Sequence, residues 1–141
     1  MSKQKTKGFG FEREVAYSLI QGGYKVTRTG NDNVAGVDVI AKRKPKPDAY
    51  YETDKIFNIE CKRYKGFSWN QLKKILNNTE EFIKGQGMLG MSMLVFKANQ
   101  QPALVMYHTG TGYIVCEFEQ FFGTPFLKRP VGHTFLEGED N

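Results

Sequence analysis

Four charged residues stand at positions where charge is out of place: Glu12, Asp38, Glu60 and Lys62. Residues 57–63 read FNIECKR. Side chains alternate faces along a strand, so Phe57, Ile59 and Cys61 share one face while Asn58, Glu60 and Lys62 share the other. Asp38 lies within the apolar run VDVIA, where strand propensity disfavours an aspartate. Its face carries Ile40, and Val37, Val39 and Ala41 line the opposite one. Taken singly, Glu60 and Lys62 make a surface ion pair and Asp38 caps a turn. Consecutive strands commonly pair side by side, which brings Asp38 to Glu60. Two carboxylates and a lysine at strand ends make a hard-oxygen site for Mg²⁺ or Mn²⁺ with an ammonium beside it.

The third carboxylate sits on a helix. Residues 9–21 (FGFEREVAYSLIQ) place Phe11, Val15, Leu19 and Ile20 at helical spacing, with Gly22-Gly23 as the stop. Glu12 falls at about 100° from Phe11 on an ideal helix, inside that apolar stripe, and Glu14 points away from it. A carboxylate on a buried face requires a hydrogen bond, a counter-charge or a metal. A place in the first turn, favoured by the helix dipole, accounts for Glu12 equally well.

The elements that must position these groups alternate between strand and helix. Residues 24–29 and 36–41 read as strands separated by the turn-rich GNDNVA, and 55–61 as a third strand after the irregular loop KRKPKPDAYYETD. Ser68 opens a second long helix, with Gln71 in the capping-box position and Leu72, Ile75, Leu76, Phe82 and Ile83 as its apolar face. Strands follow at 91–97, 103–107 and YIVC, then a brief helix at EFEQFF and an irregular tail from about residue 125.

The expectation is a single domain over 1–141, with a basic arm at about 1–7. The 141 residues suffice for a core without disulfides. No apolar run long enough to span a membrane and no signal core is present, so a cytoplasmic protein is expected. Cys61 and Cys116 lack the spacing of a zinc site or a disulfide framework. Residues 1–74 carry 16 Lys or Arg against 8 Asp or Glu, and residues 75–141 carry 4 against 7. A positive half points to a polyanionic partner or to a solvated basic surface.

The order Gly36-Val37-Asp38, then Ile59-Glu60-Cys61-Lys62 on the next strand, resembles the motif of the PD-(D/E)-x-K nucleases, over roughly residues 7–97. The resemblance implies a restriction-endonuclease-like α/β fold, a central mixed β-sheet flanked by helices. Two branches are similar. Archaeal and phage Holliday junction resolvases are small dimers with a glutamate in the first helix, which maps to Glu12. Restriction endonucleases of modified DNA share the patterns T-G-x-x-x-x-G-V-D-V-I-A and C-K-R-Y-K-G, echoed by residues 29–41 and 61–66. Those enzymes carry a further recognition domain, so size favours the resolvase. Val37 stands in place of the motif's proline, and Asn31, Asp32 or Asn33 would replace the serine of the resolvase loop.

The resemblance implies Mg²⁺- or Mn²⁺-dependent phosphodiester hydrolysis. Asp38, Glu60 and the Cys61 carbonyl would hold the ion, Glu12 would complete the shell directly or through water, and Lys62 would act on the water or the phosphate. Lys3, Lys5, Lys7, Arg28, Asn31, Lys42, Arg43, Lys44, Arg63, Lys65 and Gln71 are the candidate DNA contacts. Phe67 and Trp69 are read as core. A two-fold symmetric four-way junction calls for a homodimer, with strands 91–97 and 103–107 and EFEQFF as either interface or interior. The alternatives are a general or restriction-type DNA endonuclease, or a non-catalytic nucleic-acid-binding module.

Overall fold

The computed structural model describes residues 3–29, 36–43 and 55–127, with the backbone alone for 3–9. Its elements are α1 (Lys3–Gln21), β1 (Lys25–Arg28), β2 (Val39–Arg43), β3 (Lys55–Tyr64), α2 (Trp69–Gly85), β4 (Met91–Ala98), β5 (Leu104–His108), β6 (Tyr113–Glu117) and α3 (Phe118–Phe122). The six strands form one sheet in chain order, β1 to β6. β3 and β4 run parallel, joined by α2, and every other neighbouring pair is antiparallel. The sheet is therefore mixed and flanked by helices, as the sequence implied.

Alternation along the strands divides the core into two layers. On one face Phe11, Val15, Ala16 and Leu19 of α1 pack with Val39, Ala41, Phe57, Ile59, Cys61, Met93 and Val95, joined by Phe118 and Phe122 of α3. On the other, Leu72 and Leu76 of α2 pack with Leu94, Phe96 and Met106. Burying each of these large aliphatic side chains contributes about 1.5–3 kcal/mol. Phe57, Ile59 and Cys61 thus face α1, and the Glu60–Lys62 face lies under α2. β4 is covered on both faces, and Phe118 and Phe122 are interior, so these residues belong to the core of the chain.

Several boundaries differ from expectation. α1 begins at Lys3, so the residues read as a basic arm continue the helix, although the apolar spacing that marks a helix starts only at Phe11. β2 begins at Val39, which leaves Asp38 in the bend before the strand and not inside it. β3 runs on to Tyr64 because β4 pairs with it through Ala98, well past the end of β2. Beyond α3 no element forms among the described residues, yet Phe126 packs on Phe11 and Phe118, and the Leu127 N–H donates to Ser18 Oγ at 2.9 Å. Phe67 packs edge-on against Phe96, in keeping with a core role. Trp69 does not follow it into the core: it is 50% exposed, standing edge-on to Phe67 at the first turn of α2.

Candidate active site

β3 presents Asn58, Glu60, Lys62 and Tyr64 in succession on the α2 face. Asn58 and Glu60 are buried, and Asn58 Nδ2 donates to the Leu89 carbonyl at 2.9 Å. Further along, β2 has ended and α2 stands away from the strand, which opens a pocket of ≈ 310 Å³. Glu60, Lys62 and Tyr64 form its floor, Gln71, Ile75, Asn78 and Thr79 its α2 wall, and Gly36 its rim. Of these, Tyr64, Ile75, Asn78, Thr79 and Gly36 are additions to the sequence-predicted set. Period-two alternation already places Tyr64 on the Glu60 face, whereas the α2 residues carry no signal in their spacing.

Asp38 is fixed from three sides. Its N–H donates to the Ile59 carbonyl at 2.8 Å, and its own carbonyl accepts from Thr29 N–H at 3.0 Å. Thr29 Oγ1 donates to the Val37 carbonyl at 2.8 Å. Thr79 Oγ1, from α2, donates to the Gly36 carbonyl at 3.1 Å. Gly36 has φ +152°, and a Cβ there would lie 2.6 Å from the Phe82 ring, so glycine is what lets α2 approach this bend. Asp38 Oδ2 accepts from the Cys61 N–H at 2.8 Å. The carboxylate thereby takes the place of a ladder carbonyl, which is why β2 starts one residue later. The Asp38 carboxylate comes close enough to Glu60 for the two charges to oppose each other.

Glu60 is the electrostatic anomaly. Its carboxyl is pushed up from 4.5 to about 8, by desolvation first and by the neighbouring Asp38 second, with Lys62 opposing. Lys62 Nζ lies 3.7 Å from Glu60 Oε2, a loose ion pair. Glu60 Oε1 is buried with no hydrogen-bond partner. An unpartnered carboxylate oxygen beside a second carboxylate fits a hard divalent cation, which would supply both the missing contact and the missing positive charge. The two carboxyls that stand together here are those of Asp38 and Glu60.

Glu12 does not join them as a third member of a cluster. Its Oε1 accepts from Arg28 Nε at 3.2 Å, with both side chains largely buried. Among the described residues no three His, Cys, Asp or Glu side chains group closely enough to cage a metal. Glu12 nevertheless lies near enough for its charge, with those of Asp38 and Glu60, to push the buried Cys61 thiol up, after desolvation. The same ion pair occupies Arg28, one of the residues read as a DNA contact.

The remaining candidate contacts divide spatially. Arg63 and Lys65 are exposed at the pocket end of β3, and Gln71 lines the pocket. Gln71 N–H donates to Ser68 Oγ at 3.2 Å, so the cap forms while the Gln71 side chain turns to the pocket. Lys42 and Arg43 pair with Ile56 and Lys55 at the opposite end of β3. They are close to the site in sequence and remote from it in space. The side chains of Lys3, Lys5 and Lys7, and all of Asn31 and Lys44, lie outside the described residues.

No curated protein matches the chain. Among solved structures, a Holliday junction resolvase from the archaeal hyperthermophile Archaeoglobus fulgidus, Hjc, is similar at 17% identity. The match covers 86% of this chain and 99% of that one, with a TM-score of 0.49. The family of phage putative PDDEXK endonucleases matches residues 3–120. With Asp38, Glu60 and Lys62 standing on the bend and strand that this motif requires, the chain belongs to that endonuclease family, within the PD-(D/E)-x-K nucleases.

Proposed function

We propose that the protein is a divalent-metal-dependent endodeoxyribonuclease that acts on four-way DNA junctions as a homodimer. The observation that carries the metal reading is Glu60 Oε1, a buried carboxylate oxygen without a partner, next to Asp38. Asp38, Glu60 and the Cys61 carbonyl would hold Mg²⁺ or Mn²⁺. When bound, such an ion lowers the pKa of water and polarises the phosphoryl oxygen. Lys62 turns its ammonium from the Glu60 pair to the phosphate and stabilises the charge that grows on it. Asp38 keeps its second role, holding the Cys61 N–H and with it the course of β3. Glu12 reaches the site through Arg28 or through a bound water.

Junction selectivity is supported by the resolvase-like order of motifs, with a glutamate in the first helix. A duplex-cutting, restriction-type activity is the second reading, favoured by the Cys61-Lys62-Arg63-Tyr64-Lys65-Gly66 run. A labelled four-way junction, linear duplex and single strand, each incubated with and without Mg²⁺, separates the two. The expected result is Mg²⁺-dependent, paired incision of the junction with little cutting of the linear substrates. Asp38→Asn and Glu60→Gln should abolish cleavage while retaining DNA binding. Equal cutting of duplex would select the second reading, and undiminished cleavage by either variant would remove that residue from the site.

A further inference from the structure

Three buried side-chain oxygens among the described residues have no hydrogen-bond partner: Asn58 Oδ1, Glu60 Oε1 and Tyr64 OH. All three belong to the same face of β3, the one turned to α2. Buried polar groups are almost always paired, so a row of three exceptions on one strand face indicates something that binds there. A metal accounts for Glu60. Asn58 is anchored by its amide nitrogen on the Leu89 carbonyl, at the closed end of the row. Tyr64 is at the open end, lines the same pocket as Glu60 and Lys62, and has no part in the chemistry described so far.

What Tyr64 needs is an acceptor. A phenol at neutral pH offers one O–H donor. Its ring packs with the Leu72, Leu76 and Phe96 layer, so its direction is set by the core. Lys62 precedes it by two residues on the same face, and Arg63 and Lys65 flank it in sequence. A lone donor among cations matches a group that is negatively charged and accepts only. On a DNA strand that group is the phosphate, since sugars and bases carry no charge. In the free protein the hydroxyl is covered. Lys62, with 42% of its side chain exposed and a 3.7 Å pair to Glu60, is the neighbour with room to move toward an incoming phosphate.

We propose that Tyr64 is a further catalytic residue, donating its hydroxyl hydrogen bond to a non-bridging oxygen of the DNA phosphate that enters the pocket beside Lys62. This rests on the nuclease reading above. A donor already in place and unpaired before the substrate arrives stabilises developing charge without reorganisation.

Tyr64→Phe removes the hydroxyl and keeps the ring. The melting temperature of the metal-free, DNA-free variant should equal or exceed that of the wild type, because the hydroxyl makes no intramolecular bond. Single-turnover cleavage in Mg²⁺ should fall at least about tenfold, the scale of a hydrogen bond to a charged group. Metal-free DNA binding, followed by fluorescence anisotropy, should change little. Wild-type rates in Tyr64→Phe, with Asp38→Asn inactive, overturn this inference and leave the nuclease reading standing. A lowered melting temperature alongside lowered cleavage also overturns it, by assigning Tyr64 to the core. A folded wild type that cleaves no DNA overturns the nuclease reading and this inference together.

Discussion

At the scale of single residues, the site is organised around a carboxyl whose ionisation is opposed by burial and by a neighbouring carboxylate. Glu60 rises to about 8 because burial disfavours its charge and Asp38 repels it. Between about pH 4.5 and 8 the folded chain therefore keeps a proton that the unfolded chain has released. Stability of the metal-free protein must then fall as pH rises through that window. The contribution is fully present below the unfolded value and lost above the folded one. Each unit of raised pKa corresponds to about 1.4 kcal/mol, so melts at pH 5 and pH 8 should differ measurably. Glu60→Gln should remove this part of the pH dependence. Mg²⁺ should raise the melting temperature more at pH 8 than at pH 5, because a ligating carboxylate must first lose its proton. A wild-type melting profile unaffected by Glu60→Gln would mean that Glu60 ionises as an ordinary surface acid does.

At the scale of elements, the question is what α1 contributes. Its Glu12 turns to the sheet and meets Arg28 of β1 at 3.2 Å, whereas Glu14, in the same turn, is less deeply buried. Glu12→Gln leaves the Arg28 charge without its counter-ion in a mostly buried setting. A loss of about 1–3 kcal/mol in stability is expected, the scale of a hydrogen bond to a charged group. Glu14→Gln, in the middle of a helix that starts at Lys3, should change stability by no more than about 0.5 kcal/mol, the usual scale away from buried ion pairs. Combining Glu12→Gln with Arg28→Met should recover part of that loss, since the second substitution removes the unpaired buried charge. Cleavage by that double variant separates the roles. Activity that stays low assigns the Glu12 carboxylate to the reaction, and activity that returns with stability assigns it to the fold.

At the scale of the whole molecule, two groups of basic residues among those described stand at opposite ends of β3. Lys62, Arg63 and Lys65 stand at the pocket end, and Lys55 stands at the other with Arg43 as its register partner. Lys25 and Lys42 are paired on the adjoining strands at that same far end. Ten residues of strand, at about 3.3 Å each, separate the two ends of β3. DNA held in the pocket should meet the near group alone. Arg63→Ala with Lys65→Ala should therefore lower the slope of log affinity against log salt by about 2, one for each phosphate that the variant no longer neutralises. Lys25→Ala with Lys55→Ala should leave the slope for a short duplex unchanged. A fall with the far pair instead would place the DNA across the other end of the sheet.

The local pattern was legible in the sequence wherever one physical rule acts alone. Alternation put Phe57, Ile59 and Cys61 on one face of β3 and Glu60 and Lys62 on the other, because the pleat permits nothing else. Helical spacing turned Glu12 toward the sheet, and Ser68 capped α2, for equally local reasons. The motif order carried the family. Pairings across the chain were decided by the tertiary structure. Whether Glu12 joins Asp38 and Glu60 depends on the reach of Arg28 from β1. Whether Lys42 and Arg43 attend the site depends on β2 running antiparallel to β3, which carries them away from it. The length of β3 follows from pairing with β4, and its extension past β2 is what opens the pocket and sets Tyr64 in it. A sequence records what each residue can do, but the neighbours that meet its charge or leave a hydroxyl unpaired arrive from distant segments, and only packing brings them there.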